Sequence, residues 1–416
     1  VGKTATTAAE AAAAALRACD LALLRGGLDE WAADAAPIIE EATRLQGAAP
    51  ALTPPKSGVR AAALGPASEE ELEAERRRWA DECPRHAPAR QGVREVPRVA
   101  TSSLSVARFR AQYLAPSRPP PEPVVLAGLA RDWPAMTLRA WSDFEYLKQL
   151  GGTRLVPVET FAARDATRGY LGGSWDRRVM SLADFVNEFI VCNEDGEPAD
   201  EERVCAYLAQ YQLLDQLPSL RRDIVIPEFC KVLAPEDEMA PRWCETRNET
   251  PLMAAWLGPA GTVSPLHHDP HHNILVQVVG YKYVRIYGSD QTHRLYPMDG
   301  DRCNSSQVDV DEFEQAGSNG LKQGAEGSYR DRFPRFGEAP FWQCVLGPGD
   351  GLYIPRHAWH YVRSLTPSFS VSFWWGARMG LAKVNVKKRS RSFSRTESDH
   401  VESEDDADVP QFQSVY

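Results

Sequence analysis

Hydrophobic and polar residues alternate with a period of two through much of the second half of the chain. Between residues 254 and 375, short runs of this kind are separated by turns that contain Gly and Pro. Such alternation predicts half-buried strands, and their density predicts an all-β core. The last run, 368–375, places Phe369, Val371 and Phe373 on one face and serines on the other, as expected for a closing strand.

Fewer strands are predicted before this region. The apolar segments 123–130 and 153–159 are strand candidates, and residues 181–190 have the pattern of a helix between strands. Residues 347–351, GPGDG, form a predicted Gly/Pro turn ahead of a short strand at 352–354. The pattern therefore predicts a β domain over residues 98–376.

The two ends of the chain have a different composition. Residues 1–50 are rich in Ala and Leu and are interrupted by Gly26-Gly27, which predicts a helical hairpin region for packing or partner docking. Residues 51–97 are rich in Pro, Ala and charge, which predicts a linker with one charged helix. The tail, 377–416, carries a basic run and then an acidic run, with too few apolar residues to pack, and we expect it to be disordered.

The overall composition excludes several classes of protein. The 416 residues are 43% hydrophobic and 25% charged, as in ordinary globular proteins, with a net charge of −10. This charge argues against direct nucleic-acid binding and is compatible with a basic peptide partner. No apolar run is long enough to predict a membrane-spanning helix. The eight cysteines include no C-x-x-C pair, which argues against a zinc ribbon and indicates a reducing compartment.

Residues 264–273, SPLHHDPHHN, combine four histidines with one aspartate. Pro270 disfavours a helix here, so a helical histidine pair is not expected. In extended backbone His267 and Asp269 share a face, and His268 points to the other. One imidazole and one carboxylate on the same face are two-thirds of the 2-His-1-carboxylate site of Fe(II) oxygenases. Alternatively, the clustered histidines are a surface or capping group.

The third ligand is expected from a distant strand. The downstream histidines are His293, in a polar loop; His357, in a loop after a proline; His360, at the start of a strand; and His400, in the tail. A strand position directs a side chain inward, so His360 is the predicted ligand.

Lys282 lies on an unexpected face of a predicted strand. It shares that face with Val284 and Ile286, so it points into the core if they do. A buried ammonium is costly unless an anion accompanies it. The anion is either a carboxylate of the protein or the distal carboxylate of a dicarboxylate cosubstrate, for which 2-oxoglutarate is the natural candidate beside an Fe(II) site.

Two segments, 258–287 and 349–375, resemble the JmjC-domain Fe(II)/2-oxoglutarate oxygenases, and residues 206–230 share the likeness. Within this family the chain is similar to the group named lysine demethylase eight, also described as a peptidyl-arginine 3-hydroxylase, and to its plant-type branch. The resemblance covers about residues 98–375. It implies a double-stranded β-helix, a mainly β jelly-roll (cupin-like) JmjC barrel with an N-terminal helical region.

Carried over residue by residue, the resemblance implies further site residues. The family's iron ligands fall on His267, Asp269 and His360, in agreement with the alternation. Its 2-oxoglutarate residues fall on Lys282, Tyr207, Asn273 and Ser264. Trp256 and Glu159 fall where the family receives its substrate, and an indole with a carboxylate suits a cationic side chain. The alternatives are a core aromatic for Trp256 and a surface strand end for Glu159.

The function implied is a protein oxygenase that uses Fe(II) with 2-oxoglutarate and O2 as cosubstrates. It would hydroxylate arginine side chains or demethylate N-methyl-lysine in a protein such as a histone tail, in transcriptional or circadian regulation. The basic stretch KKRSR, 387–391, is compatible with a nuclear location, with the cytoplasm also open. The alternatives are a catalytically silent JmjC binding scaffold and a zinc-containing cupin.

Overall fold

The computed structural model describes residues 11–21, 24, 69–82, 92–115, 120–162, 176–191, 204–238, 250–318 and 329–376. Its helices are α1 (11–21), α2 (Glu69–Glu82), α3 (Val106–Phe109), α4 (Phe144–Gly151), α5 (Leu182–Phe185), α6 (Leu213–Gln216), α7 (Pro218–Arg221), α8 (Pro235–Glu238), α9 (Val310–Ser318) and α10 (Tyr329–Arg332). π-helical turns at Arg110–Leu114 and Val186–Ile190 extend α3 and α5. Among the described helices, none has the length and apolar character needed to cross a membrane.

The described strands are short and concentrate in the second half of the chain, as the alternation predicts. They are β1 (Val93–Glu95), β2 (Arg98–Ala100), β3 (Val124–Ala127), β4 (Leu155–Ala162), β5 (Asp176–Ser181), β6 (Val204–Tyr211), β7 (Leu252–Gly258), β8 (Val263–His268), β9 (His272–Val279), β10 (Lys282–Tyr287), β11 (Phe341–Leu346), β12 (Gly351–Ile354), β13 (Trp359–Ser364) and β14 (Ser368–Trp375). The predicted strands at 123–130, 153–159 and 352–354 are confirmed, with adjusted ends, as is the predicted helix at 181–190.

The strands form two sheets that enclose one interior. The smaller sheet has the order β1-β11-β10-β13-β8, and the larger has the order β2-β3-β12-β9-β14-β7-β6-β4-β5. From β7 to β14 the chain passes repeatedly between the sheets, which produces four core strands in each. This arrangement is a double-stranded β-helix, so the predicted fold class is confirmed.

The alternation along each strand separates the barrel interior from its outer layers. Phe369, Val371 and Phe373 of β14 pack outward in a core shared with the helices, where the ring of Phe369 stacks on Trp141 with a centroid distance of 4.4 Å. Ser370, on the opposite face, bonds to the side chain of Lys282 in the interior. The predicted division of this strand into an apolar and a serine face is therefore confirmed.

Helix α2 packs on the β domain. Arg76 of α2 donates to Asp350 at 3.1 Å, and Trp79 of the same helix contacts the ring of Tyr281. The charged helix expected between residues 51 and 97 is thus present and lies against the barrel. Most of the predicted hairpin at 1–50 and the whole tail at 377–416 lie outside the described residues, and the three boundaries between the four predicted segments stay predictions.

We expect Asp350→Ala to destabilise the protein by about 3 kcal/mol. Asp350 is buried and accepts hydrogen bonds from Arg76, Arg98 and the backbone N–H of Gly128, so its removal leaves the buried Arg76 guanidinium without this partner. Chemical denaturation measures the change in free energy of unfolding. The matched control is Arg77→Ala on the exposed face of α2, which should change it by less than about 0.5 kcal/mol.

Candidate active site

The pairing of β8 with β13 brings two predicted metal ligands together. His267 of β8 lies directly opposite His360 of β13 in the antiparallel register, and their ring centroids are 4.3 Å apart. Asp269 follows β8 by one residue, and the backbone N–H of His357 donates to its carbonyl oxygen at 2.9 Å. The structure therefore holds the turn that carries the carboxylate against the loop that leads into β13.

The three side chains converge on one point. Asp269 Oδ1 is 3.9 Å from His267 Nε2, and Asp269 Oδ2 is 3.8 Å from His360 Nε2. The Nδ1 atoms of the two histidines lie 2.7 Å and 3.0 Å from the carbonyl oxygens of Pro265 and Ala358. A carbonyl oxygen can only accept, so each Nδ1 carries the proton and each Nε2 presents a lone pair to the centre.

The electrostatics of the centre favour a bound cation. Burial opposes ionisation of Asp269, but His267 and His360 and the hydrogen bond from Trp374 Nε1, at 2.9 Å, outweigh it and hold the pKa of Asp269 below its ordinary value. Burial, reinforced by His267, lowers the pKa of His360 to about 4. At neutral pH this describes an anionic carboxylate beside a neutral imidazole, which is the form of each group that ligates metals.

The donor set fits one divalent metal ion of the Fe(II) type. The possible ligand atoms of His267, Asp269 and His360 all lie within 4.8 Å of one another. Three protein ligands leave coordination positions open, as a 2-His-1-carboxylate site requires. Among the described residues no cysteine belongs to this group, so the arrangement does not match the sulfur-rich sites typical of structural zinc.

The other clustered histidines point elsewhere. The ring of His268 contacts Trp359 and His357, and burial lowers its pKa to about 4. His272 lies against Tyr353, whose hydroxyl oxygen is 3.0 Å from His272 Nδ1. His357 adopts a positive φ of 59°, an uncommon backbone conformation for a non-glycine residue, and is not part of the convergent group. The choice of His360 over His357 on strand position agrees with this geometry.

Lys282 is buried in the same cavity. Its side chain donates to Ser370 Oγ at 2.6 Å, and its ammonium lies 5.9 Å from the centroid of the Tyr207 ring. Burial lowers the pKa of Lys282 to about 7. Within the described part of the chain, no carboxylate forms an ion pair with Lys282. Of the two anions that the sequence left open, the geometry therefore favours a bound carboxylate over a protein carboxylate.

One cavity is lined by the three candidate metal ligands and by Lys282. The predicted residues that line it are Tyr207, Trp256, Ser264, His267, Asp269, Asn273, Lys282 and His360. Burial raises the pKa of Tyr207, so its hydroxyl stays protonated at neutral pH. The cavity thus offers hydroxyl, amide and ammonium groups to a carboxylate.

The two predicted substrate residues differ in position. Trp256 lines the cavity and donates to Ser372 Oγ at 3.0 Å. Glu159 is not among the lining residues, but it lies on β4 opposite Tyr207 and is 3.9 Å from Arg177. Trp256 is therefore part of the cavity wall, and Glu159 is one strand away from it.

Several lining residues were not predicted from the sequence. Ser372 and Trp374 come from β14, where the period-two pattern could have indicated them, because the serine face of this strand is the inner one. Gln210 reaches the cavity from a backbone with φ of 47°, at an irregularity in the pairing of β6 with β7. No local sequence pattern marks this bulge, so the position of Gln210 in the cavity wall could not be predicted from the sequence.

Comparisons with known proteins agree with this architecture. The profile of the family described as "Cupin-like domain" matches residues 107–380. The chain is 40% identical over 273 residues to Lysine-specific demethylase 8 of Xenopus tropicalis, 39% over 290 residues to the protein of that name in Danio rerio, and 39% over 275 residues to Lysine-specific demethylase JMJ30 of Arabidopsis thaliana. The chain belongs to the cupin-like JmjC domain family, and the resemblance inferred from its motifs is confirmed.

These alignments cover part of each protein. They include 65%, 69% and 66% of this chain, and 51%, 60% and 53% of the Xenopus, Danio and Arabidopsis proteins. The chain therefore spans little more than half the length of these relatives.

We expect Asp269→Ala to abolish specific binding of Fe(II) or of Mn(II) as its substitute, because it removes the anionic ligand. His268→Ala is the matched control, since its ring faces Trp359 and should leave metal affinity within about threefold of the parent, less than 1 kcal/mol. Calorimetric titration under anaerobic conditions measures both. Equal loss of binding in the two variants would show that His268 is a ligand.

Proposed function

We propose that the protein is an Fe(II)- and 2-oxoglutarate-dependent protein oxygenase. The observation that carries the proposal is the buried ammonium of Lys282, which lies in one cavity with His267, Asp269 and His360. A metal site alone would fit several cupin activities. A metal site combined with a buried cation calls for a ligand that chelates the metal at one end and carries an anion at the other.

The residues divide this task by their chemistry. His267, Asp269 and His360 would hold Fe(II), which when bound supplies oxidation of a substrate C–H bond by O2, coupled to conversion of 2-oxoglutarate to succinate and CO2. Lys282 would bind the distal carboxylate of 2-oxoglutarate through a charge-assisted pair. Tyr207, Asn273 and Ser264 line the same cavity and would complete its hydrogen bonding.

The hydrogen bond from Trp374 to Asp269 has a separate role. It occupies one lone pair of Oδ2 and fixes the orientation of the carboxylate between the two histidines. Outer hydrogen bonds of this kind commonly set ligand geometry and affinity in metal sites. The Nδ1 contacts of His267 and His360 act in the same way, because they keep each Nε2 directed inward.

The substrate class we propose is a protein or peptide with a cationic side chain, such as a histone tail. Trp256 offers an aromatic face and Glu159 a carboxylate near the cavity, both of which suit a guanidinium or a methylated ammonium. Oxidation of an N-methyl group ends in loss of formaldehyde and hence demethylation, whereas oxidation of an arginine side-chain carbon gives a stable alcohol. The names of the relatives favour demethylation. The group that the motifs resemble is also described as a peptidyl-arginine 3-hydroxylase, which favours hydroxylation.

Mass spectrometry of peptides separates these outcomes. N-methyl-lysine and arginine peptides are incubated with the protein, Fe(II), 2-oxoglutarate and O2, with Asp269→Ala as the control. A gain of one oxygen identifies a hydroxylase, and loss of a methyl group identifies a demethylase. Neither change, together with no succinate formed, would refute the proposal and favour the binding scaffold. Succinate that forms with zinc as well as with iron would refute the role of Fe(II).

We further propose that the protein acts in the nucleus, in transcriptional or circadian regulation. The supports are the KKRSR stretch, which lies outside the described residues, and the similarity to plant and animal JmjC proteins.

We expect Lys282→Met to be stable and to bind metal normally while losing affinity for 2-oxoglutarate. Methionine keeps the length and apolar bulk, but the cosubstrate carboxylate loses its cation, at a cost of about 3–5 kcal/mol, or roughly two to three and a half decades. Titration of 2-oxoglutarate into the Mn(II)-loaded protein measures the change. Unchanged affinity would contradict the role of Lys282 in binding the cosubstrate.

We expect binding of 2-oxoglutarate to take up a proton above neutral pH. Burial lowers the pKa of Lys282 to about 7, so the free protein loses this proton as the pH rises through that value. A bound dianion raises the pKa again, so affinity should fall by up to about tenfold per pH unit above pH 7. Calorimetry at pH 6 and pH 8.5, in buffers of different protonation enthalpy, measures the uptake. Lys282→Met should show none.

A further inference from the structure

Helix α1 presents an aspartate to the interior of the protein. Its buried positions recur every four residues, at Ala12, Leu16 and Asp20, and Leu24 continues the stripe. The apolar members of such a stripe are stabilised by burial, but a buried carboxylate is costly unless it is paired and hydrogen-bonded. The helix therefore depends on partners for Asp20 in the surface on which it packs.

Both carboxylate oxygens of Asp20 accept hydrogen bonds. The Nε atom of Arg154 lies 2.9 Å from both carboxylate oxygens, the backbone N–H of Leu155 donates at 3.0 Å, and Gln216 Nε2 donates at 2.7 Å. Asp20 is fully buried, and Arg154 is only 3% exposed. Because both charges are buried, removing either one leaves the other without its counter-charge in the interior.

This cluster lies at the start of β4 and just after the end of β6, the two strands that lead to the cavity. Leu155 is the first residue of β4, and Gln216 ends α6, which follows β6. Gln216 also donates to the carbonyl oxygen of Leu155 at 2.8 Å, so Asp20 and Gln216 together join the start of β4 to the segment after β6. Farther along the same two strands, Glu159 is paired with Tyr207.

β6 needs such support because its own pairing is irregular. Its ladder with β7 shifts between Leu208 and Tyr211, where Gln210 adopts its positive φ. Its ladder with β4 extends from Val204 to Tyr207. Gln210 therefore lies in the irregular stretch of β6, beyond its ladder with β4, and its position depends on what holds the segment that follows β6.

We infer that Asp20 is a positioning residue of the active site. Through Arg154 and Gln216, helix α1 fixes β4 and β6, and thereby the placement of Tyr207 and Gln210 in the cavity wall. Helix α1 is then a functional part of the β domain on which it packs. This inference rests on the proposed function as far as 2-oxoglutarate is concerned.

The test compares two buried aspartates in the full chain. Asp20→Asn removes the negative charge from the cluster at the start of β4 and the end of β6. Asp223→Asn is the matched control, because Asp223 is equally buried and accepts hydrogen bonds from Arg139, Trp141 and Tyr146, none of which belongs to β4 or β6. Arg17→Gln, on the exposed face of α1, controls for changes to the helix itself.

We expect both aspartate variants to lower the melting temperature by roughly 5–10 °C. Only Asp20→Asn should weaken binding of 2-oxoglutarate to the Mn(II)-loaded protein, by about tenfold, since residues coupled through a shared backbone shift interact by energies of this order. Only Asp20→Asn should also speed hydrogen exchange in peptides that cover β4 and β6. Arg17→Gln should change none of these quantities.

A second pair of variants tests the ion pair itself. Asp20→Ala leaves the buried Arg154 guanidinium without its carboxylate partner. Asp20→Ala combined with Arg154→Met removes both charges. The double variant should therefore melt at a higher temperature than Asp20→Ala alone.

Two results would overturn the inference: equal 2-oxoglutarate affinity in Asp20→Asn and the parent, or equal exchange of β4 and β6 in Asp20→Asn and Asp223→Asn. If the parent itself does not bind 2-oxoglutarate, the proposed function fails, and the exchange comparison alone decides the role of Asp20.

Discussion

The antiparallel pairing of β8 with β13 is the constraint on which the centre of this protein depends. It places His267 directly opposite His360, so both imidazoles reach the same point from neighbouring strands. Because side chains alternate along a strand, a slip of one residue in either strand would turn one histidine out of the cavity. The register must therefore be fixed from outside the site. The apolar outer faces of the same strands fix it, since Trp359 and Tyr361 of β13 are fully buried in the outer core.

The interior of the barrel combines apolar walls with a few polar groups that are joined by hydrogen bonds. Ser370 accepts a hydrogen bond from Lys282, Ser372 accepts one from Trp256, and Trp374 donates to Asp269. All three come from the inner face of β14, so a single strand orients the Lys282 ammonium, the Trp256 indole and the Asp269 carboxylate. Its outer face packs against the helices, and this packing holds the strand in place.

Segments distant in sequence complete the domain through buried ion pairs. Asp20 meets Arg154 at the start of β4, and Arg76 meets Asp350 in the turn before β12. Such pairs contribute little net stability relative to apolar contacts, but they define one geometry, because a buried charge accepts few alternative partners. The N-terminal helices and the barrel are in this sense one packed unit.

The amino-acid sequence predicts the strands of the second half, the inward face of Lys282 and the candidate metal ligands His267, Asp269 and His360. All of these follow from period-two alternation, which is local and needs no knowledge of distant contacts. The three-dimensional packing alone shows that Glu159 lies one strand behind the cavity wall and that Gln210 enters the wall at a bulge. It alone shows that Asp20 forms a buried ion pair with Arg154. These facts depend on pairing between residues tens to more than a hundred positions apart, and no local pattern encodes which partner a strand or a buried charge will meet.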